Sequence, residues 1–424
     1  MTMSPPRSSR SRRGLYGLLA ANTISLSGTR LSMIALPWFV ISTTGSAAQT
    51  GLVAATQMAP YVLAKALAGP IVDRLGSRKV VVTAELAAGA VVAGIPLLYA
   101  FDLLHLGVLL VMVALLGAAS GPADGAKAAL IPLVADQARV PLERVTGLYG
   151  SIERFATTIG AAAAGGLVAL LGPIPALWVT AATFGGAALV IAATAPRPAP
   201  RERAPYLAQL REGLVFIGRD RLLRSLYAMV TTTNLLDAAA FSVLLPVWAH
   251  QTGYGPEAIG LLAAVMSSAA VASSLLAAAI GHRMPRRLTY IVGFVIAGLP
   301  RFAILAVDVP LTLIVVVFAI SGLGSGFLNP ILGAVIFERI PRDMVGRVSS
   351  MGSSLAWAGI PLGGLVGGAL VTAAGLAPAL MICGVAYFVV TIIPGVQPEW
   401  REMERRPTSG GSRESADAEP AGAA

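Results

Sequence analysis

The side chains that could do chemistry in this sequence are few, and they sit in unusual surroundings. Arg30, Lys65, Glu85, Asp124, Lys127, Glu153, Arg154, Asp237 and Arg301 each interrupt a long apolar stretch. A charge in such a stretch is costly unless it faces a partner or a water-filled cavity, which makes each one a candidate for ligand binding or ion coupling. Asp124 and Lys127 stand three apart and so share a helix face; they read either as a substrate or proton site or as a local structural pair. Glu85 and Glu153–Arg154 fall near the ends of their stretches and read first as a structural network with nearby basic loops. Lys65 is placed to snorkel to the surface. Arg301 and Asp308, about two helical turns apart, read as a structural pair. The uncharged polar groups Asn22, Gln57, Asn234 and Asn329 either line a cavity or bond a neighbouring helix.

Enzyme chemistry finds no support. There is no G-x-x-x-x-G-K-[ST] phosphate loop. His105, His250 and His282 are far apart and lack metal-ligand spacing. The single cysteine, Cys383, has no evident base partner and excludes a disulfide framework. The chain is therefore expected to be no enzyme and to hold no cofactor and no metal.

The elements that must position these groups follow from composition. Of 424 residues 56% are hydrophobic and 12% charged, with a mean hydropathy of +0.76. That charged share is about half the soluble average, which rules out a soluble globular domain and a disordered chain. Twelve apolar runs are long enough to cross a bilayer: 15–41, 50–72, 80–101, 106–130, 147–171, 175–195, 225–249, 256–280, 288–307, 310–335, 348–372 and 376–395. Barrel strands would be about 10 residues long and alternating, so the expected fold is all-α, a bundle of twelve transmembrane helices. The formal charge is +10. Its basic residues lie mostly between the runs and not on one solvated face, so nucleic acid is not an expected partner. All 26 basic residues outside the runs, of 31 in total, fall on one side of the membrane. That side, with both termini, is expected to be cytoplasmic. Trp38, Trp178 and Trp248 fall near the opposite interface.

The runs form two six-helix halves, 15–195 and 225–395. A basic tail, 1–14, precedes them, and a disordered tail, 396–424, is expected after them. The linker 196–224 carries Leu207, Leu210, Leu214, Val215 and Ile217 at spacings that predict an amphipathic surface helix. Leu36-Pro37 recurs as Leu245-Pro246, and Ile131-Pro132 as Ile340-Pro341, both at an offset of 209. This is the signature of an internally repeated transporter with its site between the halves. By the same offset Arg30 and Asp237 fall at similar depths on symmetry-related spans. An approach of the two across the cavity is expected, with Asp237 as a candidate coupling acid.

The turn after the second run reads Gly69-Pro70-Ile71-Val72-Asp73-Arg74-Leu75-Gly76-Ser77-Arg78-Lys79. It resembles the signature loop of the major facilitator superfamily. Ser27-Gly28-Thr29-Arg30-Leu31-Ser32-Met33-Ile34-Ala35-Leu36-Pro37 and Gly346-Arg347-Val348 look like the macrolide-efflux and enterobactin-exporter branch. Two positions depart from that pattern: Thr29 stands where an acid is common, and Gly160 is followed by four alanines where a Gly-Pro pair is usual. The resemblance implies a proton-coupled exporter that works by alternating access of its two halves; the few charges in the spans favour an amphiphilic small molecule as cargo, and a monomer in a bacterial cytoplasmic membrane is expected. Uptake or facilitated passage of a polar metabolite is the alternative. It implies that Gly69, Asp73, Arg74, Gly76, Arg78 and Lys79 form a gating latch that meets acids or lipid phosphates. Arg30, Gln57, Asp124, Asn234, Asp237 and Asn329 are the candidate substrate and coupling residues, with protons, cargo and membrane lipids as partners.

Overall fold

The computed structural model describes residues 12–196, 206–280, 284–341 and 344–404. Arg7, Arg10, Arg283, part of the linker and the last twenty residues lie outside the described residues, as do the side chains of Asp73, Arg154 and Arg347.

Six spans build the first half: span 1 (Arg13–Thr44), span 2 (Ala47–Ala66), span 3 (Ser77–Ala100), span 4 (Leu106–Ala138), span 5 (Leu142–Leu171) and span 6 (Pro173–Thr194). Their internal prolines, among them Pro37, Pro60, Pro96 and Pro122, leave the helices continuous. A surface helix, Tyr206–Arg219, leads into the second half and buries Ile217 while Leu214 and Val215 stay exposed. In the second half most spans are broken. Span 7 runs Arg221–Ala239, a π turn Ala240–Leu244 and Leu245–Gln251; span 8 is Pro256–Ile280; span 9 is Arg286–Ala297 and Leu299–Leu305. Span 10 is Leu311–Gly326 and Leu328–Arg339, span 11 is Val345–Ala358 and Ile360–Ala374, and span 12 is Leu376–Val396. Pro246, Pro300, Pro330 and Pro361 sit one to three residues past these breaks. A proline there removes a backbone donor and crowds the carbonyl of the preceding turn.

Eleven helical stretches among the described residues are long and apolar enough to cross a membrane, and span 2 is not one of them. Gln49, Gln57, Tyr61 and Lys65 interrupt it, and the last three recur every four residues and so make a polar stripe down one face. With span 2 the bundle has twelve membrane helices.

The halves meet at the end away from the basic loops. Ile41 and Ala47 of the first half pack with Val243 and Val247 of the second in one buried cluster. Span 2 lies against span 11 through glycines: a Cβ on Gly51 would come within 2.1 Å of the Gly364 carbonyl oxygen. Span 5 meets span 8 the same way, since a Cβ on Gly165 would fall 2.9 Å from the Gly260 Cα.

At the basic end each half is tied by arginine. Arg78 donates to the Ala192 carbonyl near the end of span 6. Arg287, its counterpart at the offset of 209, donates to Gly395 at 2.8 Å and Val396 at 2.9 Å in span 12. Such donors satisfy the carbonyls that a helix end leaves open. Gly76 takes φ +82°, the left-handed side that this turn requires and a β-carbon disfavours. Arg74 and Lys79 are exposed.

Two expectations fail here. Residues 398–404 are not a disordered tail but a 3-10 helix, Pro398–Glu404. Trp400 is fully buried against Tyr290, and Arg339 joins Glu402 at 2.5 Å and Asp220 at 3.0 Å. Trp248 is not an interfacial anchor either: it is buried and stacks on Tyr254. Trp178 is exposed.

Candidate transport site

Between the halves lies a cavity of about 610 Å³. All six spans of the first half and spans 8, 10 and 11 of the second contribute to its wall. Of the residues singled out from sequence as substrate or coupling groups, Arg30, Gln57, Asp124 and Asn329 line it.

The charged groups of the first half form one network. Lys127, 1% exposed, reaches Glu85 at 2.9 Å, Asp124 at 3.0 Å and Ser25 Oγ at 3.0 Å. Ser25 donates to Glu85 Oε1 at 2.8 Å. The second oxygen of Glu85, on a side chain only 2% exposed, has no hydrogen-bond partner among the described residues. Tyr61 donates to Asp124 Oδ2 at 2.7 Å, and Lys65 donates to Tyr61 at 3.2 Å. Arg30 lies within electrostatic reach of Glu153, Tyr61 and Asp124. Arg30, Lys65 and Lys127 thus offset Glu85, Asp124 and Glu153; all but Lys127, which lies behind the wall, line the cavity. Of these six only Glu85 and Lys127 are buried, and burying that pair is tolerable only because each has the other close by.

Three expectations are corrected by this network. Glu85 does not join the basic loops; its partner is Lys127 in the bundle interior. Glu153 likewise faces the cavity, where Lys65, Asp124 and Arg30 set its field. Lys65 does not snorkel outward, because Tyr61, one turn earlier on span 2, gives it a hydroxyl inside.

Second-half polar groups behave differently. Asp237 of span 7 pairs with Arg301 of span 9, not with Arg30 across the cavity. Arg301 is 4% exposed, and its guanidinium lies 4.9 Å from both the Phe302 and Tyr387 rings. The expected Arg301–Asp308 pair does not form: the helix ends at Leu305 and Asp308 is exposed in the following loop. Seven residues no longer make two turns there. Asn234 is absent from the cavity wall. Its amide donates to the Ala356 carbonyl at 2.8 Å, and Thr231 donates to the Leu355 carbonyl at 2.8 Å. These are carbonyls of the last turn before the break in span 11, which span 7 satisfies.

That break positions Trp357, which sequence reasoning missed. Its ring comes from the second half to stand 5.9 Å from the Tyr61 ring of the first. The Lys65 ammonium sits over the indole, 4.0 Å from its centroid. Tyr61 was missed as well, although its four-residue spacing from Gln57 and Lys65 is a signal that could have found it; nothing in the sequence around Trp357 marks it as a cavity residue.

A family model described as Major Facilitator Superfamily matches residues 18–233 and 227–419. The chain belongs to the major facilitator superfamily. Two relatives carry efflux names. Multidrug efflux pump Tap of Mycobacterium tuberculosis (strain ATCC 25618 / H37Rv) is 34% identical over 409 residues, covering 94% of this chain and 96% of the relative. Macrolide efflux protein A of Streptococcus pyogenes is 23% identical over 401 residues, covering 92% and 97%. The nucleoside transporter NupG shares the fold with a TM-score of 0.72 at 14% identity, over 93% of this chain and 100% of that one. So does a bacterial homolog of the human lysosomal transporter Spinster, in an inward-facing and unoccupied conformation, with a TM-score of 0.70 at 16% identity over 94% and 100%. As a major facilitator the chain is a multi-pass membrane transporter of small molecules and not an enzyme.

Proposed function

We propose that this major facilitator exports amphiphilic drug-like molecules from a bacterial cell by alternating access, as a monomer driven by protons. The observation that carries the reading is the cavity between the halves, lined by Arg30, Lys65, Glu85, Asp124 and Glu153 and bounded by glycine contacts at the end away from the basic loops. The efflux names of relatives that match nearly the whole chain support the direction. A volume of about 610 Å³ suits one drug-sized ligand, with Leu26, Met33, Met58, Leu116 and Phe184 for its apolar body and charged and hydroxyl groups to orient its polar end.

The one-sided distribution of basic residues supports a cytoplasmic location for both termini and for the open end. Arg30, Gln57, Asp124 and Asn329 are assigned to the cargo and its coupling ion. The carboxylates on the wall offer the proton its landing places. Asn234 and Asp237 are assigned a supporting part, through Trp357 and Arg301 respectively. Gly69, Asp73, Arg74, Gly76, Arg78 and Lys79 are assigned to a latch that closes the basic end in the opposite state. Asp73→Asn is expected to slow transport strongly in vesicles.

A drug-susceptibility panel in a host lacking its own pumps tests the function. Resistance to a set of amphiphilic compounds, lost when an ionophore collapses the proton gradient, is the expected result. No resistance to any compound, with accumulation of a polar metabolite instead, would replace export by uptake.

A further inference from the structure

The position of Lys65 carries more than a structural role. Its ammonium rests on the face of Trp357, 4.0 Å from the ring centroid, and 5.4 Å from that of Tyr61. Its one hydrogen bond goes to the Tyr61 hydroxyl. Lys127, buried behind the cavity wall, is instead fixed by two carboxylates and a hydroxyl. Among the described residues Lys65 has no ion pair, although both Asp124 and Glu153 lie within its field. A lysine head on a flexible four-carbon stem, held by one ring face and one hydroxyl, swings out easily. What it would leave behind is an indole face, a phenol ring at 5.9 Å from it, and two carboxylates in range. An aromatic face backed by negative charge is how proteins hold organic cations.

We propose that Lys65 is a resident stand-in for a cationic cargo, and that the positive head of an amphiphile displaces its ammonium from Trp357. The proposal rests on the efflux reading for its cargo and adds the sign of the cargo's charge. It also gives the exchange a consequence for the halves. Lys65 and Tyr61 belong to span 2, Trp357 to span 11, so the cation on the indole bridges the two halves whether it is the lysine's or the cargo's. The network of Arg30, Lys65, Lys127, Glu85, Asp124 and Glu153 sums to zero while Lys65 is in place. A cationic head that expels it meets the same balance.

The test uses the purified full-length chain and two ions of one shape, tetraphenylphosphonium and tetraphenylborate. Lys65→Met removes the competitor and is expected to tighten tetraphenylphosphonium binding about tenfold, the scale of a desolvated cation on an aromatic face. Tetraphenylborate should weaken. In a Trp357→Leu background Lys65→Met should give less than about a twofold gain, because the seat that the lysine occupied is gone. Lys65→Gln, which keeps a donor for Tyr61, should move both ions in the same directions and covers the case that Lys65→Met fails to fold. An equal gain in both backgrounds would overturn the proposal, since it would mean a charge acting through space with no displacement. A parallel shift of both ions would overturn it too. Drug resistance in cells without any tetraphenylphosphonium binding would leave export standing and end the cation site. The expected binding pattern without resistance to any compound would do the reverse.

Discussion

Gly51 of span 2 and Gly364 of span 11 lie backbone against backbone: a Cβ on Gly364 would come within 2.6 Å of the Gly51 carbonyl oxygen. No side chain fits between them, and the contact is backbone on both sides, so neither helix can yield without moving. The pair is a closure surface that only glycine can make.

Gly364→Val should therefore keep the two halves apart at that end. The chain folds, because each half has its own buried core, but the alternation stalls and transport falls at least about tenfold. A cysteine placed at Ala54, whose Cβ stands 3.1 Å from the one Gly364 would carry, reports the opening. Its labelling by a thiol reagent should be faster in the Gly364→Val background. Equal labelling rates would show that the closed end tolerates the valine.

Lys127→Met strands Glu85, which is 2% exposed, and takes one partner from Asp124, which is 32% exposed and keeps Tyr61. Removing one partner of a buried ion pair costs about 3–5 kcal/mol. Thermal unfolding in detergent should drop accordingly. Glu85→Gln added to it should recover part of the loss, since one of the uncompensated charges is gone. No recovery would mean that Asp124 is the partner Lys127 chiefly serves.

For Asp237 and Arg301 the two single changes should differ. Arg301 is nearly enclosed and also lies on two aromatic rings, whereas Asp237 is 35% exposed. Arg301→Ala loses packing, cation–π contact and the ion pair together, so its destabilisation should exceed that of Asp237→Asn by about 1 kcal/mol or more. Melting curves of the two variants decide it. Equal losses would reduce the arginine's role to the ion pair alone.

Arg287 offers a prediction at the basic end. Its guanidinium spans two carbonyls at the end of span 12, and hydrogen bonds from a charged donor are worth about 1.5–3 kcal/mol. Arg287→Ala should cost stability on that scale. Arg287→Lys should restore less than half, since an ammonium lacks the planar fork that meets two acceptors. Full restoration by lysine would make the interaction one of charge alone.

Much of this architecture was legible before any coordinates. Hydropathy and the one-sided basic residues gave the helices, and the 209-residue offset gave the halves. Even the matching roles of Arg78 and Arg287 follow from that offset. The interior charges were visible as candidates, but their partners were not. An offset gives depth along the membrane normal and says nothing of the direction in which a side chain leaves its helix. Arg30 and Asp237 share a depth, yet Asp237 turns to span 9, where Arg301 is nearer. Lys65 was misjudged for a local reason: the reach of a lysine stem allows either end, and a phenol one turn away decides it. Trp400 lay in a stretch whose composition looks disordered, and one buried indole with flanking arginine pairs outweighs composition.

Span 2 carries the gating glycine, the polar stripe and the lysine that fills the cavity, and the same features leave it short of the hydropathy of every other span. A segment of that kind partitions into hydrocarbon less readily than its neighbours, since polar side chains such as Gln57 oppose insertion. During synthesis it enters the bilayer alongside partners that hide its stripe. Span 4, which supplies Asp124 for Tyr61, emerges from the ribosome some forty to sixty residues later. The nascent chain thus passes through an interval in which its future substrate pathway is held by the insertion machinery and not yet by the protein. The residues that suit this helix to transport are the ones that make its biogenesis cooperative.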